Sequence, residues 1–387
     1  MNVGLSDNHT SIVLSKLNFE KNDDNIEISK QMNYDSDILL DQIQLNPLLS
    51  LKNRCVMAPM TRCFADQNMP TEGMAKYYSK RSRFGLIISE ATMISEDASA
   101  HLGSPGIYSE LQIPKWKAIC DKVHEHGGKF FIQLWHAGMM SHANYRNGKQ
   151  PIAASDVIQR EGDVIRSNGL LKYQAPKPMD KQDMEEIKKL FYHAASNAIL
   201  ADCDGIEIHA GSGFLLDSFL HYFTNKRTDE YGGKPENMCR FLLEVIDELI
   251  PEIGAQRIGI RLSPIPIPGM KNMQEDERDV EIFKFLLREL KKRNIAYVHV
   301  GADDDINNNS HLGMPISQFL KQYFEGVVIG CGSYSVESGA EAIKQGRFDL
   351  VAFGKLAIAN PNLVDLIQNK DQSSILPFDI KMLNQLI

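Results

Sequence analysis

The sequence predicts an α/β chain closed into a single (β/α)8 barrel, and three observations carry that prediction. Short apolar segments recur along the chain, each followed by a longer amphipathic one, as parallel strands joined by helical crossovers require. Eight such units follow one another in the sequence. The strands are almost continuously apolar, which suits strands covered on both faces. A doubly wound open sheet is the competing arrangement, but eight regular units favour closure. The 387 residues then form one barrel with insertions rather than two domains.

From Met1 to about Ser36 the chain is rich in Asn, Asp and Ser, with one short apolar patch at Ile12–Leu14. Such a segment buries too little to offset its ordering, so residues 1–38 read as a flexible tail and order begins near Leu39. The barrel spans 39–370, and 371–387 form a C-terminal extension. Candidate strands are Cys55–Ala58, Leu86–Glu90, Lys129–Leu134, Gly205–His209, Arg257–Leu262, Ala296–Gly301, Gly326–Gly330 and Asp349–Gly354. Apolar residues at three-to-four spacing predict helices over Ala75–Arg83, Pro114–His126, Met184–Ala201 and Asn237–Ile250. Val280–Arg293, Ser335–Gln345 and Leu363–Gln368 carry the same pattern more weakly. Pro114 and Pro235 fall near helix starts, where a missing N–H costs little. Residues 137–180, after the third strand, are too long for a plain connection and read as an insertion overhanging the barrel mouth.

A net charge of -8 argues against binding a phosphate backbone, so nucleic acid is not an expected partner. The six cysteines are scattered without CxxC spacing and read as thiols of a reducing compartment. No leader-like start and no membrane-spanning apolar run is found, which points to a cytoplasmic protein. The eleven histidines are dispersed and no HExxH occurs, so no metal site is expected.

Barrel chemistry gathers where strands run out at the C-terminal face. There the first strand offers Thr61, the third Gln133, Trp135 and His136, the fourth His209 and the fifth Arg261. Thr61, Gln133, His209 and Arg261 can all hydrogen-bond a planar heterocycle. The seventh strand ends in Gly330-Cys-Gly332-Ser333 and the eighth in Gly354-Lys355. Glycine turns at these two strands make a phosphate site, to which Lys355 adds a point charge. The Gly330-x-Gly332 spacing faintly echoes a dinucleotide-binding turn, but it lacks the third glycine and comes too late in the chain. A phosphate at strands seven and eight with hydrogen-bonders at strands one, three and five describes FMN lying across the mouth.

These residues resemble the Old Yellow Enzyme family of NAD(P)H:flavin-dependent ene-reductases, from about Leu39 to Gln368. The resemblance lies in Leu51-Lys-Asn-Arg-Cys-Val-Met-Ala-Pro-Met-Thr-Arg62, Gln133-Leu-Trp-His-Ala-Gly138, Asn225-Lys-Arg-Thr-Asp-Glu-Tyr-Gly-Gly233, Gly259-Ile-Arg-Leu-Ser-Pro264 and Ala352-Phe-Gly-Lys-Leu-Ala-Ile-Ala-Asn-Pro361. It implies that Thr61 bonds the flavin O4, Gln133 the pyrimidine edge and Arg261 the N1–C2=O side. Pro59, Met60 and Ala91 would supply backbone against the isoalloxazine, and Gly332, Ser333, Gly354 and Lys355 would hold the phosphate. Trp135 and Phe214 would line the substrate pocket, with His209 and Ser212 as the catalytic pair. Thr61 rather than Cys resembles the Thr-bearing branch.

Three departures stand out. The fourth strand reads His209-Ala-Gly-Ser212-Gly-Phe214, where the family has Asn or His in place of Ser212 and a proton-donating Tyr in place of Phe214. Lys355 replaces the customary Arg. The expected activity is ping-pong transfer of hydride from NADH or NADPH to a small electrophile: an activated alkene, a quinone or a nitro compound. Phe214 favours acceptors that take protons from solvent. One alternative is an attenuated protein of this fold that binds FMN and a ligand without useful turnover. Another is a flavin-free barrel acting on a phosphorylated substrate. A homo-oligomer is compatible with the sequence. Arg227–Gly233 reads as a braced turn, His299 as a core residue and Asp303–Asp305 as a solvated run.

Overall fold

The computed structural model describes residues 36–158, 163–166, 169–265 and 276–386. Eight parallel strands close a barrel: β1 Cys55–Met57, β2 Leu86–Ile88, β3 Phe130–Trp135, β4 Gly205–Ala210, β5 Ile258–Leu262, β6 Tyr297–Val300, β7 Val328–Gly330 and β8 Leu350–Phe353. The order is sequential, β8 pairs β1 and β3 pairs β4, so no edge remains among them. Every predicted strand is present, most of them a residue or more shorter than expected. Around them run α1 Glu72–Ser79, α2 Ile113–His124, α3 Lys181–Leu200, α4 Arg240–Ile253, α5 Asp279–Lys292, α6 Ile316–Phe324, α7 Val336–Lys344 and α8 Leu363–Gln368. The helices bury stripes such as Met184, Ile187, Phe191, Ala195 and Ala198 of α3. Each large apolar side chain so buried contributes roughly 1.5–3 kcal/mol. Asp180 starts α3 with a reciprocal cap through Asp183, and prolines stand in the first turns of α2 and of the short helix Pro235–Met238 that precedes α4.

Helix α6 is absent from the sequence prediction. Its apolar stripe of Ile316, Phe319, Leu320 and Phe324 lasts only nine residues and follows a loop rich in Asn and Asp, which masks the period. A hairpin of Ile43–Asn46 and Leu49–Leu51 was also not anticipated. It buries Leu45, Leu49 and Leu51 and ties Asn46 to the Gln256 carbonyl at 2.8 Å, at the entry to β5, beneath the N-terminal end of the barrel.

Most of the expected tail, residues 1–35, lies outside the described residues; Leu39 is fully buried. In the segment after β3, Met139, Met140 and Ala153 form a small apolar cluster against which Tyr173 and Phe214 pack. The C-terminal stretch is anchored twice. Asn360 exchanges hydrogen bonds with the Leu376 backbone at 2.8 and 2.9 Å. Arg62 donates to the carbonyls of Met382 and Gln385 at 3.0 and 2.6 Å.

The barrel interior is layered. Phe131 and Tyr297 meet with ring centroids 5.7 Å apart, low in the barrel. The Tyr297 ring lies over Gly259, where a Cβ would come within 2.1 Å of it, so the glycine makes room for the ring. Above this apolar floor the inward positions turn polar, and the site begins.

Candidate active site

Gln133 on β3 and Glu207 on β4 stand opposite each other in the strand register, as do Arg261 on β5 and His299 on β6. Gln133 Nε2 donates to Glu207 Oε1 at 2.7 Å, and His299 Nδ1 meets Glu207 Oε2 at 2.8 Å. Burial pushes the Glu207 carboxyl up, but His299, Arg261 and Gln133 outweigh it and hold it below the usual range. A buried carboxylate thus faces the Arg261 cation. Glu207 went unassigned in the sequence, although a charge in an apolar strand, two residues before His209 and so on the same face, was the available signal. His299 is fully buried as expected, yet it serves this network rather than apolar packing alone.

Burial, then the Arg261 and His299 charges, hold His209 well below the ordinary imidazole range, so it is neutral. Its ring meets Phe214 edge-on at 4.9 Å, and Phe214 meets Trp135 edge-on at 5.2 Å. The intervening turn places Ser212 and Gly213 at φ of 60° and 76°. Ser212 N donates to Ser263 Oγ at 3.0 Å and Gly213 N to Asp217 Oδ2 at 2.7 Å, which fixes the turn. The Ser212 hydroxyl has no protein partner among the described residues.

Pro59 and Met60 are half-buried and Thr61 exposed where β1 ends. The loop beyond is held from β2: Glu90 Oε2 accepts from the Arg62 and Cys63 amides at 3.0 and 2.9 Å. Burial raises the Glu90 carboxyl to about 7. Ala91 follows directly and is 6% exposed. Beneath, Arg62 and Arg81 both lie against Tyr77, at 4.8 and 3.8 Å from its centroid. Arg81, just past α1, also donates to the carbonyls of Ala357 and Ile358 at 2.8 and 3.0 Å, in the short helix Lys355–Ala359 that follows β8.

At that turn Gly354 lies beside Met60, whose sulfur would be 3.2 Å from a Cβ there, and the exposed Lys355 follows. Gly332 after β7 has φ of 135°, and a Cβ on it would sit 2.7 Å from the Asp305 amide. Ser333 is exposed and its hydroxyl donates to the Asp303 carbonyl at 2.9 Å. The expectation of a solvated Asp303–Asp305 run holds only for its first two members. Asp305 is fully buried: it accepts from Ser317 N at 2.7 Å and from the Tyr334 hydroxyl at 2.9 Å, bracing the Gly332 turn. The Arg227 turn is braced as expected, with Arg227 on Asp229 and on the Ala154 and Met179 carbonyls.

The predicted residues therefore converge on one end of the barrel. Three of them keep buried polar atoms without a protein partner: His209 Nδ1, Trp135 Nε1 and Arg261 Nε. Orphans of this kind cost about 1–3 kcal/mol each unless a ligand satisfies them, and a flat heterocycle with ring nitrogens and carbonyls fits the set. A groove of about 560 Å³ lined by His124, Lys129, Asp204 and Arg257 lies at the opposite, N-terminal end. Among the described residues no group of His, Cys, Asp and Glu could hold a metal, and no helix is long and apolar enough to cross a membrane.

The profile of the NADH:flavin oxidoreductase / NADH oxidase family matches residues 39–373. The chain is 39% identical over 320 residues to 12-oxophytodienoate reductase 1 of Oryza sativa subsp. japonica, covering 81% of this chain and 82% of that one. It is 37% identical over 332 residues to a probable flavin mononucleotide-dependent alkene reductase of Leishmania infantum, covering 83% and 89%. Among solved structures, morphinone reductase in complex with tetrahydroNAD superposes with a TM-score of 0.80 at 34% identity, covering 89% and 93%. The Old Yellow Enzyme homologue of Zymomonas mobilis gives 0.82 at 31%, covering 90% and 98%.

Proposed function

Because this chain belongs to the NADH:flavin oxidoreductase / NADH oxidase family, of the Old Yellow Enzyme type, we propose that it passes hydride from NADH or NADPH to a small electrophilic acceptor by a ping-pong mechanism at the β-strand C-termini. The observation that carries this reading is the gathering at the mouth of the barrel of Trp135, His209 and Arg261, each with an orphaned buried polar atom, beside Gln133. Bound FMN supplies the two-electron hydride carrier.

Gln133 gives its Nε2 to Glu207 and so keeps its carbonyl oxygen for a ring N–H. Arg261 offers a fixed cation where negative charge develops on N1–C2=O, and Glu207 keeps that guanidinium charge-balanced in the apolar barrel. The Thr61 hydroxyl serves O4, with Pro59, Met60 and Ala91 as neighbouring backbone. Gly332, Ser333, Gly354 and Lys355 cradle the phosphate, Lys355 as a point charge instead of the family's guanidinium fork. The Gly332 turn needs its glycine, because a Cβ there would meet the Asp305 amide at 2.7 Å.

On the substrate side neutral His209 donates one hydrogen bond to the acceptor oxygen, and the unpaired Ser212 hydroxyl lends a second, directly or through water. Trp135 and Phe214 form the wall. Phe214 has no proton to give, so acceptors whose products take protons from solvent, quinones and nitro compounds, are served better than alkenes. Anaerobic mixing with NADH and with NADPH tests the reading: the visible flavin absorbance should bleach, and quinone should restore it faster than 2-cyclohexenone. Phe214 also favours a second reading, a flavin- and ligand-binding protein without turnover; a yellow protein bleached by neither nicotinamide would establish that one instead.

A further inference from the structure

The mouth contains a titratable ring that the mechanism above does not use. His101, in the loop after β2, stacks on Trp135 at 6.0 Å with the planes 11° apart. Trp135 meets Phe214, and Phe214 meets His209. One aromatic row therefore runs along the pocket wall, with an imidazole at each end.

The loop carrying His101 is tied on both sides. Gly103 accepts from Ala65 N at 3.0 Å, beyond the Thr61 turn, and Ala98 accepts from Ala137 N at 2.7 Å, beyond β3. Ser99 accepts from the His101 amide at 2.9 Å and donates to its carbonyl at 2.6 Å. The backbone is thus spoken for, while the ring takes no hydrogen bond from any described residue. The residue is only partly buried, and its nitrogens are not among the atoms sealed from solvent. Burial lowers its pKa to about 4, so at neutral pH the ring carries one N–H and no charge.

We infer that His101 is a specificity-determining hydrogen-bond donor, a second polar anchor at the far end of the row from His209, and that the pocket is matched to acceptors with oxygens at two opposed ends, 1,4-quinones above all. This rests on the hydride-transfer reading of the same site. His209 and Ser212 hold one oxygen and His101 the other, with the ring between them against the half-buried Phe214, which Trp135 backs. Such an acceptor gains hydride and one solvent proton and ends as a hydroquinone with both hydrogens on oxygen, so it has no need of the donor that Phe214 lacks. An enone with a single carbonyl makes only the contacts to His209 and Ser212.

The test uses photoreduced full-length protein loaded with FMN, which bypasses the nicotinamide. Reoxidation by menadione and by 2-cyclohexenone is followed by stopped flow in wild type, His101→Phe and His101→Gln. One neutral hydrogen bond is worth about 3- to 10-fold in binding. His101→Phe should weaken the apparent Kd for menadione by that factor, leave the enone within about twofold, and keep the limiting rates. His101→Gln, which retains an N–H donor, should recover most of the loss. Equal weakening of both acceptors, or no change in either, overturns the proposal. If His101→Phe fails to retain flavin, His101→Leu carries the same comparison. Nicotinamide reduction of wild type is measured separately, so its failure would indict the hydride-transfer reading and not His101.

Discussion

Replacing Phe214 with Tyr restores a phenol at the wall position where the family keeps its proton donor. A general acid contributes roughly 10²- to 10⁴-fold. That range is a ceiling here, because water at a half-buried ring already supplies protons at some rate. A gain of about 10- to 100-fold in reoxidation by 2-cyclohexenone is therefore expected, with quinone unchanged within about twofold. The structure argues that folding will not confuse the result. Tyr keeps the edge contacts to Trp135 and His209 at 5.2 and 4.9 Å, each worth about 0.5–1.5 kcal/mol beyond burial. Its hydroxyl can reach the open side of the ring, so stability should shift by no more than about 0.5 kcal/mol. The assay mixes reduced protein anaerobically with each acceptor and records flavin reoxidation. Equal acceleration of both, or an enone rate that does not respond, would refute the assignment of this position to proton delivery.

Lys355→Arg should tighten FMN binding to apoprotein by about 10-fold, the worth of one added charge-assisted hydrogen bond; a titration showing no tightening would remove Lys355 from the phosphate site. The buried triad Asp217–His221–Asp279 predicts a pH dependence. Burial alone would lower the His221 pKa, but the two carboxylates raise it from 6.5 to about 10. The folded state then binds the extra proton, so this stability is complete below pH 6.5 and is lost as pH rises toward 10, at up to about 1.4 kcal/mol per unit. Denaturant titrations across that window should slope downward in wild type and flatten in His221→Gln. Deleting residues 380–387 strips Arg62 of both carbonyl partners, each worth about 1.5–3 kcal/mol to a charged donor. Tm should fall by several degrees in thermal melts, and an unchanged Tm would show the contact to be idle.

The fold was legible because strands buried on both faces cannot hide their composition, and all eight declare themselves. Helix α6 could not, since a nine-residue stripe after a polar loop contains barely two periods. The placement of Thr61, Gln133, His209 and Arg261 was legible for a different reason: a barrel brings its strand ends to one face, so the topology alone puts all four at the same end. What escaped depends on side-chain partners the chain order does not reveal. Asp305 looked solvated beside Asp303 and Asp304, yet it turns inward to Ser317 and Tyr334, 12 and 29 residues away. Glu207 stood in plain view, but its use is set by Gln133 and His299 on other strands. His101 lies in a loop with no period, and only its ring contact with Trp135 marks it.

The phenylalanine pressed between Trp135 and His209 also bears on handedness. Bound flavin would present one face to the acceptor, so a new β-stereocentre would be set by how the acceptor lies. The α-carbon has no such tutor in Phe214, which carries no hydroxyl to fix the side from which its proton arrives. A 2,3-disubstituted enone reduced here would emerge uniform at the β-carbon and epimeric at the α-carbon, so the diastereomer ratio of the product reports the chemistry of a single side chain.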